Sequence, residues 1–167
     1  DSFTGSGGAD TIAGAGGNDT LFGGSGDDLM EGGAGDDQIR GNRDEDTIHG
    51  GDGADSLYGD VGSDTIHGGE DDDHVYGGSQ DDELLGENGN DLVVGEAGDD
   101  RIDGGAGLDT LHGDLGNDTL YGGLGQDNIY GGVNNDIAYG GGDADQIHGE
   151  DGRDSLQGQG GDDTIFG

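Results

Sequence analysis

Cysteine, proline, tryptophan and lysine are all missing from the 167 residues. Without cysteine no disulfide framework can staple the chain, and a thiol-based metal or redox site is excluded with it. Without lysine there is no phosphate-binding P-loop, and no G-x-G-x-x-G occurs either, because the third glycine is replaced wherever G-x-G appears. The only basic side chains are Arg40, Arg43, Arg101 and Arg153, too few and too scattered to attract nucleic acid or an anionic membrane surface. Apolar runs are short as well. None approaches the roughly 20 residues that span a bilayer, and no signal-peptide pattern opens the chain. Its first residue is Asp1, which fits an excerpt of a longer protein.

What is present is glycine and negative charge. There are 45 glycines, and 40 acidic residues against four basic ones give a net charge of -36. Low hydrophobicity with high net charge is the signature of disorder, because too little apolar surface can be buried to offset the entropy of ordering the backbone. An ordered chain of this composition needs help from outside its core. With disulfides excluded, metal ions or assembly remain.

The order is in the repeat. From Gly5 to Phe166 the chain divides into eighteen nonamers with no insertion or deletion, each beginning with Gly. The sixth residue of every nonamer is Asp, and the eighth is always apolar, from Ile12, Leu21, Met30 and Ile39 through Ala138 to Ile165. The fourth residue is Gly in thirteen repeats, and Asp44, Asp71, Gln80, Asn134 and Asp143 take its place in the others. Four of these five are Asp or Asn, which best tolerate positive φ. Residues 1–4 keep the frame as a partial repeat and Gly167 opens a further one, so residues 1–167 read as a single array cut in mid-pattern.

Within each nonamer the first six residues read as a Gly- and Asx-rich turn and the last three as a short strand. Two repeats then make one coil of 18 residues. The predicted fold is all-β, a right-handed parallel β-roll (a β-solenoid) of about nine coils, with a rise of about 4.8 Å per coil.

Segments such as Gly23-Gly24-Ser25-Gly26-Asp27-Asp28-Leu29-Met30-Glu31 carry a resemblance: the chain resembles the RTX (repeats-in-toxin) family, whose G-G-x-G-x-D-x-U-x nonapeptides form calcium-binding β-rolls. The resemblance covers essentially the whole chain. It implies Ca²⁺ held between turns of neighbouring coils by sixth-position carboxylates and turn carbonyls, so that Asp10 shares an ion with the turn of Asp28, and Asp19 with that of Asp37. The candidate ligands are Asp10, Asp19, Asp28, Asp37, Asp46, Asp55, Asp64, Asp73, Asp82, Asp91, Asp100, Asp109, Asp118, Asp127, Asp136, Asp145, Asp154 and Asp163. Oxygen donors in flexible turns suit calcium, which takes six to eight of them.

Electrostatics points the same way. Stacking places these Asp residues about 4.8 Å apart, where like charges repel by about 1 kcal/mol per pair even in water. Up to sixteen interior sites would bring +32 against -36, leaving about -4. An Asx turn alone would not require Asp over Asn in every repeat. The fifth-position acids, among them Asp27, Asp36, Asp72, Asp81 and Asp99, are expected to be solvated.

The ninth position collects seven of the eight aromatics and four of the five histidines. Tyr58 over Tyr76, Tyr121 over Tyr139, and His112, Tyr130, His148 and Phe166 in one file are expected to form outward ladders that stabilise the sheets. A lateral contact surface is the alternative. His49 over His67 is a weak case for a transition-metal site, being two imidazoles without an acidic neighbour. The leading functional expectation is a non-catalytic calcium-binding module of a secreted, extracellular bacterial protein that folds on meeting Ca²⁺. The alternative is a segment of an adhesin, surface layer or filament that self-associates through coil ends or its Tyr and His faces. The tail of a secreted enzyme or toxin is a further reading, with catalysis elsewhere. Ice binding, which a few related adhesin domains perform through Thr and Asn at the third and fifth positions, lacks any Thr at the third.

Overall fold

The computed structural model describes residues 1–167. The chain winds into two parallel sheets that face each other. A ten-stranded sheet runs from Ser2–Thr4 to Thr164–Phe166, and a nine-stranded sheet from Thr11–Gly16 to Ser155–Gln159. Successive strands alternate between the sheets, and each pairs with the strand 18 residues away, as in Ile48↔Ile66 and Leu111↔Ile129. This is the parallel β-solenoid the nine-residue period requires, with no helix. Register is unambiguous, because a slip of one residue would turn every eighth-position side chain outward.

The strands are longer than expected. Most contain six residues, joining positions seven to nine of one repeat to positions one to three of the next, as in Thr65–Glu70. The turn shrinks to positions four to six. Glycine at the head of each repeat suggested a turn, yet the backbone stays paired through it, with Gly51↔Gly69 and Asp52↔Glu70 in register. Its role is close approach. A Cβ on Gly86 would overlap both the carboxylate of Asp91 and the carbonyl of Gly104 in the next coil, and the same overlap recurs along the array. These glycines have ordinary φ; their side chain is missing for space, not for conformation.

Positive φ is concentrated elsewhere. All five non-Gly residues at position four adopt it, Gln80 included (φ 85°). So do eight residues at position two, among them Asn42, Asp60, Glu87, Glu96, Asp114 and Glu150. The second column is therefore a bend in the middle of a paired strand, at which an L-residue is held in the left-handed region at a cost of about 1–2 kcal/mol.

Only three residues per repeat point inward: the sixth-position Asp, the eighth-position aliphatic and the leading Gly, as in the buried trio Asp64, Ile66 and Gly68. The core is sixteen aliphatic side chains from Ile12 to Ile147, one column from each sheet meeting between them, all but Ile12 essentially inaccessible. Leu156 is partly buried against it and Ile165 is exposed. Gly86→Ala is expected to cost at least roughly 1–3 kcal/mol, as overpacking does in a tight interior. Gly142→Ala, whose Cβ would meet only ordinary van der Waals neighbours, should stay within about 0.5 kcal/mol of the parent. Thermal unfolding of the two variants in calcium separates the positions, and equal effects would refute the close-approach role.

Candidate metal centre

The eighteen sixth-position Asp residues fall into two columns, one along each edge of the solenoid where the sheets meet. One runs Asp10, Asp28, Asp46 and onward to Asp154; the other runs Asp19, Asp37, Asp55 and onward to Asp163. The fifteen from Asp19 to Asp145 are no more than 4% exposed, an extreme burial for charged side chains. Sixteen coil-to-coil links join them: the N–H of each Asp donates to Oδ1 of the Asp 18 residues later, at 2.7 Å for Asp10 to Asp28 and 3.1 Å for Asp145 to Asp163.

Asp91 shows how each residue is used. Its N–H donates to Asp109 Oδ1 at 2.9 Å, and its own Oδ1 accepts from the Asp73 N–H at 2.8 Å. Its carbonyl accepts from the Thr110 N–H at 2.8 Å. Only Oδ2 is left over. The same atom is buried and unpartnered in every Asp from Asp19 to Asp145. Buried polar atoms are nearly always paired, and a buried anion without a counter-charge is the most expensive exception. Fifteen such atoms in two regular files are a feature of the design that calls for a cation.

The electrostatics agrees. Burial pushes Asp46, Asp82, Asp109 and Asp118 up to about 7 and Asp73 up to about 8. Asp55, Asp64, Asp91, Asp100 and Asp127 rise to about 6 for the same reason. Asp37, Asp136 and Asp145, nearer the ends, are raised as well. The N–H from the preceding coil opposes this in each case, and for most of them the stacked Asp neighbours add to it. A single N–H per carboxylate cannot hold the charge, since carboxylates with strongly depressed values accept two or three.

The donors in these files are hard oxygens, which suit Ca²⁺. No group of three or more His, Asp or Glu side chains converges on one point to hold a metal ion. Any coordination shell here would therefore need backbone carbonyls as well.

The fifth-position residues are exposed but not idle. Asp27, Asp36, Asp72, Asp81 and Asp99 each accept from a backbone N–H 18 residues later, at 2.8–3.3 Å. Asn18, Asn90, Asn117 and Asn135 do the same. The backbone and side-chain N–H groups of Asn117 hold the Asp99 carboxyl below the usual range. An outer ladder thus runs beside the inner one with donor and acceptor reversed. The expectation of freely solvated acids missed it. The signal was available, since Asp or Asn fills that column in ten of eighteen repeats.

The ninth-position ladders form as expected. Tyr58–Tyr76, Tyr121–Tyr139 and the file His112, Tyr130, His148, Phe166 stack with ring centroids 4.6–5.1 Å apart. Arg40 and Arg101 lie over Tyr58 and Tyr121, which caps two of these stacks with a cation. His49 stacks on His67 at 4.7 Å, and Glu87 supplies an acidic neighbour, 2.9 Å from His67 Nδ1.

A parallel solenoid whose two edges carry files of buried, half-satisfied carboxylates belongs to the class of repeat modules completed by metal ions. The family model of the RTX calcium-binding nonapeptide repeat, four copies long, matches residues 4–39, 31–66, 49–84, 58–93, 76–111, 85–120, 103–138 and 139–167. The chain belongs to that family, and its repeats are calcium-binding repeats. No curated protein matches the chain. Among solved structures it is similar to a hyperactive, Ca²⁺-dependent, β-helical antifreeze protein from an Antarctic bacterium, with a TM-score of 0.65 and 24% identity over 89% of this chain. The chain spans 64% of that structure's length. At this identity the likeness shows the fold.

Acid should stabilise the metal-free solenoid. A carboxyl raised on folding above its unfolded value favours the fold while protonated, so the stabilisation is complete below about pH 4 and fades as pH rises through 6–8. In chelator, far-ultraviolet circular dichroism is expected to show more β-structure at pH 4 than at pH 8. Calcium affinity should run the opposite way, weakening as pH falls from 8 to 6. A metal-free signal independent of pH would contradict this picture of the columns.

Proposed function

We propose that the sixth-position Asp residues, from Asp10 to Asp163, are the side-chain ligands of Ca²⁺ ions shared between successive coils. The module would then be ordered by calcium and largely unfolded without it. The fifteen buried, unpartnered Oδ2 atoms carry this reading. The sixteen inter-coil gaps give the upper limit on interior ions. Binding to the folded state alone stabilises that state by mass action, and the thin aliphatic core leaves the fold dependent on it.

Family membership supports the wider setting: a structural module of a secreted bacterial protein that stays unfolded where calcium is scarce and folds outside the cell. It offers no catalytic constellation of its own, so any reaction would belong to other parts of the parent protein. The antifreeze activity named for the structural neighbour finds no support here, because neither sheet has a Thr in the third column.

Calcium titration with chelator controls tests the proposal, followed by circular dichroism and isothermal calorimetry. The sharpest variant is Asp91→Asn, which keeps an acceptor for the Asp73 N–H but removes the charge. It is expected to lower calcium affinity about ten-fold or more, as one lost charged ligand does, without destabilising the metal-free state. Asp163→Asn at the last coil should have a smaller effect. Should Asp91→Asn bind calcium as the parent does, the carboxylate is only a backbone cap.

A further inference from the structure

The ten-stranded sheet carries a second feature that calcium binding does not use. Toward the C-terminal half of that sheet, next to the turn edge, the third column reads Ala97, Leu115 and Val133 on adjacent strands, in register Ala97↔Leu115 and Leu115↔Val133. Leu115 is 57% and Val133 42% exposed. Beside them the second column reads Glu96, Asp114, Gly132 and Glu150. Together with Gly78 these residues line a shallow groove of about 470 Å³ that follows the solenoid axis.

The fold does not dictate this composition. Glu96, Asp114 and Glu150 hold φ of 72°, 69° and 71° in a second column that on the same sheet also accepts Gly24, Asn42, Asp60, Gly78 and Gly132. Glycine is the easier residue at such a bend, yet three carboxylates line the groove at strained positions. The apolar file is equally dispensable for the fold, since Ser79 occupies the same column on the neighbouring strand, in register with Ala97.

We propose that this groove docks a cationic amphipathic helix of a partner protein. Charge decides the class of occupant. A second copy of the chain, with only four basic residues, has no cationic stripe to meet an acid-lined groove, and nucleic acid and anionic membranes are repelled by it. Geometry decides the secondary structure. Rungs recur about every 4.8 Å along the axis and helical turns about every 5.4 Å, so a helix laid along the groove stays within about 1.2 Å of register over the three rungs of Ala97, Leu115 and Val133. An extended strand, repeating about every 6.8 Å on one face, loses register within two rungs. The five strands from His74–Ser79 to Gln146–Asp151 span about 19 Å, the length of about 13 helical residues. One stripe of the helix would place Leu or Ile over Ala97, Leu115 and Val133, and the adjacent stripe Lys or Arg over Glu96, Asp114 and Glu150.

The probe is a fluorescein-labelled, amidated Leu/Lys helix of about 14 residues, with Leu on one stripe and Lys on the next. A permuted peptide of the same composition without stripes is the control. Anisotropy is read in millimolar Ca²⁺, with circular dichroism confirming the fold in the same samples, so that failure of calcium-driven folding registers separately. The striped peptide is expected to bind about ten-fold tighter than the permuted one. The double variant Leu115→Ser, Val133→Ser should abolish that preference. The triple variant Glu96→Gly, Asp114→Gly, Glu150→Gly should lose binding while its thermal midpoint stays at or above the parent's. Equal binding of both peptides means bulk charge attraction alone and overturns the proposal, as does unchanged preference in the double variant.

Discussion

Two files of stacked, buried carboxylates constrain everything else in this molecule. Each Asp receives the N–H of the coil before it and gives its own N–H to the coil after it. The residue that ties coils together therefore also brings a negative charge into the interior, where the next one stands a single coil away. Hydrogen bonding and desolvation pull in opposite directions at the same atom pair. Burial outweighs the single N–H at these carboxylates, most of all at Asp73 near the middle of its file. A fold organised this way favours whatever neutralises the buried charge, a proton or a bound cation, and oxygen donors suit hard ions.

The two kinds of glycine follow from that constraint. Those opening each repeat make room for the carboxylate and for the carbonyl of the next coil, so Gly86 and Gly68 cannot acquire a Cβ without moving Asp91 or Asp73. Those at positions two and four serve the bends and are replaceable at a cost. Ala15, Asn42, Glu87 and Gln80 all occupy such bends with positive φ. A sequence column that is always Gly and one that is mostly Gly thus report different physics: excluded volume at ordinary φ in the first, and in the second positive φ combined with close approach to the preceding coil, as at Gly51 against the Gly33 carbonyl.

Because each coil touches only its neighbours, stability is close to a sum over coils and interfaces. The edges and the interior columns admit little variation, whereas the outer sheet faces are free to vary. They carry the Arg-capped tyrosine stacks, the His49–His67 pair with Glu87 and the acid-lined groove around Leu115. The repeat columns build the rod, and the faces are where one such rod can differ from another.

The nine-residue period by itself determined the coil, the parallel pairing and the membership of every column. In a solenoid the sequence offset of 18 is the spatial neighbour relation, so Tyr58 over Tyr76 or Asp73 over Asp91 could be read without coordinates. Calcium entered through the resemblance of these repeats to the RTX nonapeptide, and the family match supports it. The tertiary structure decided what depends on distances across the coil. It extended strands such as Thr65–Glu70 through glycines that looked like turn, and it set Gly86 against the Asp91 carboxylate. It put Glu96 and Asp114 at left-handed bends and aligned the outer Asx ladder. It also left one carboxylate oxygen of each buried Asp without a partner. Such features are set by close packing between coils, and a column of letters records which residues are neighbours but not how near they come.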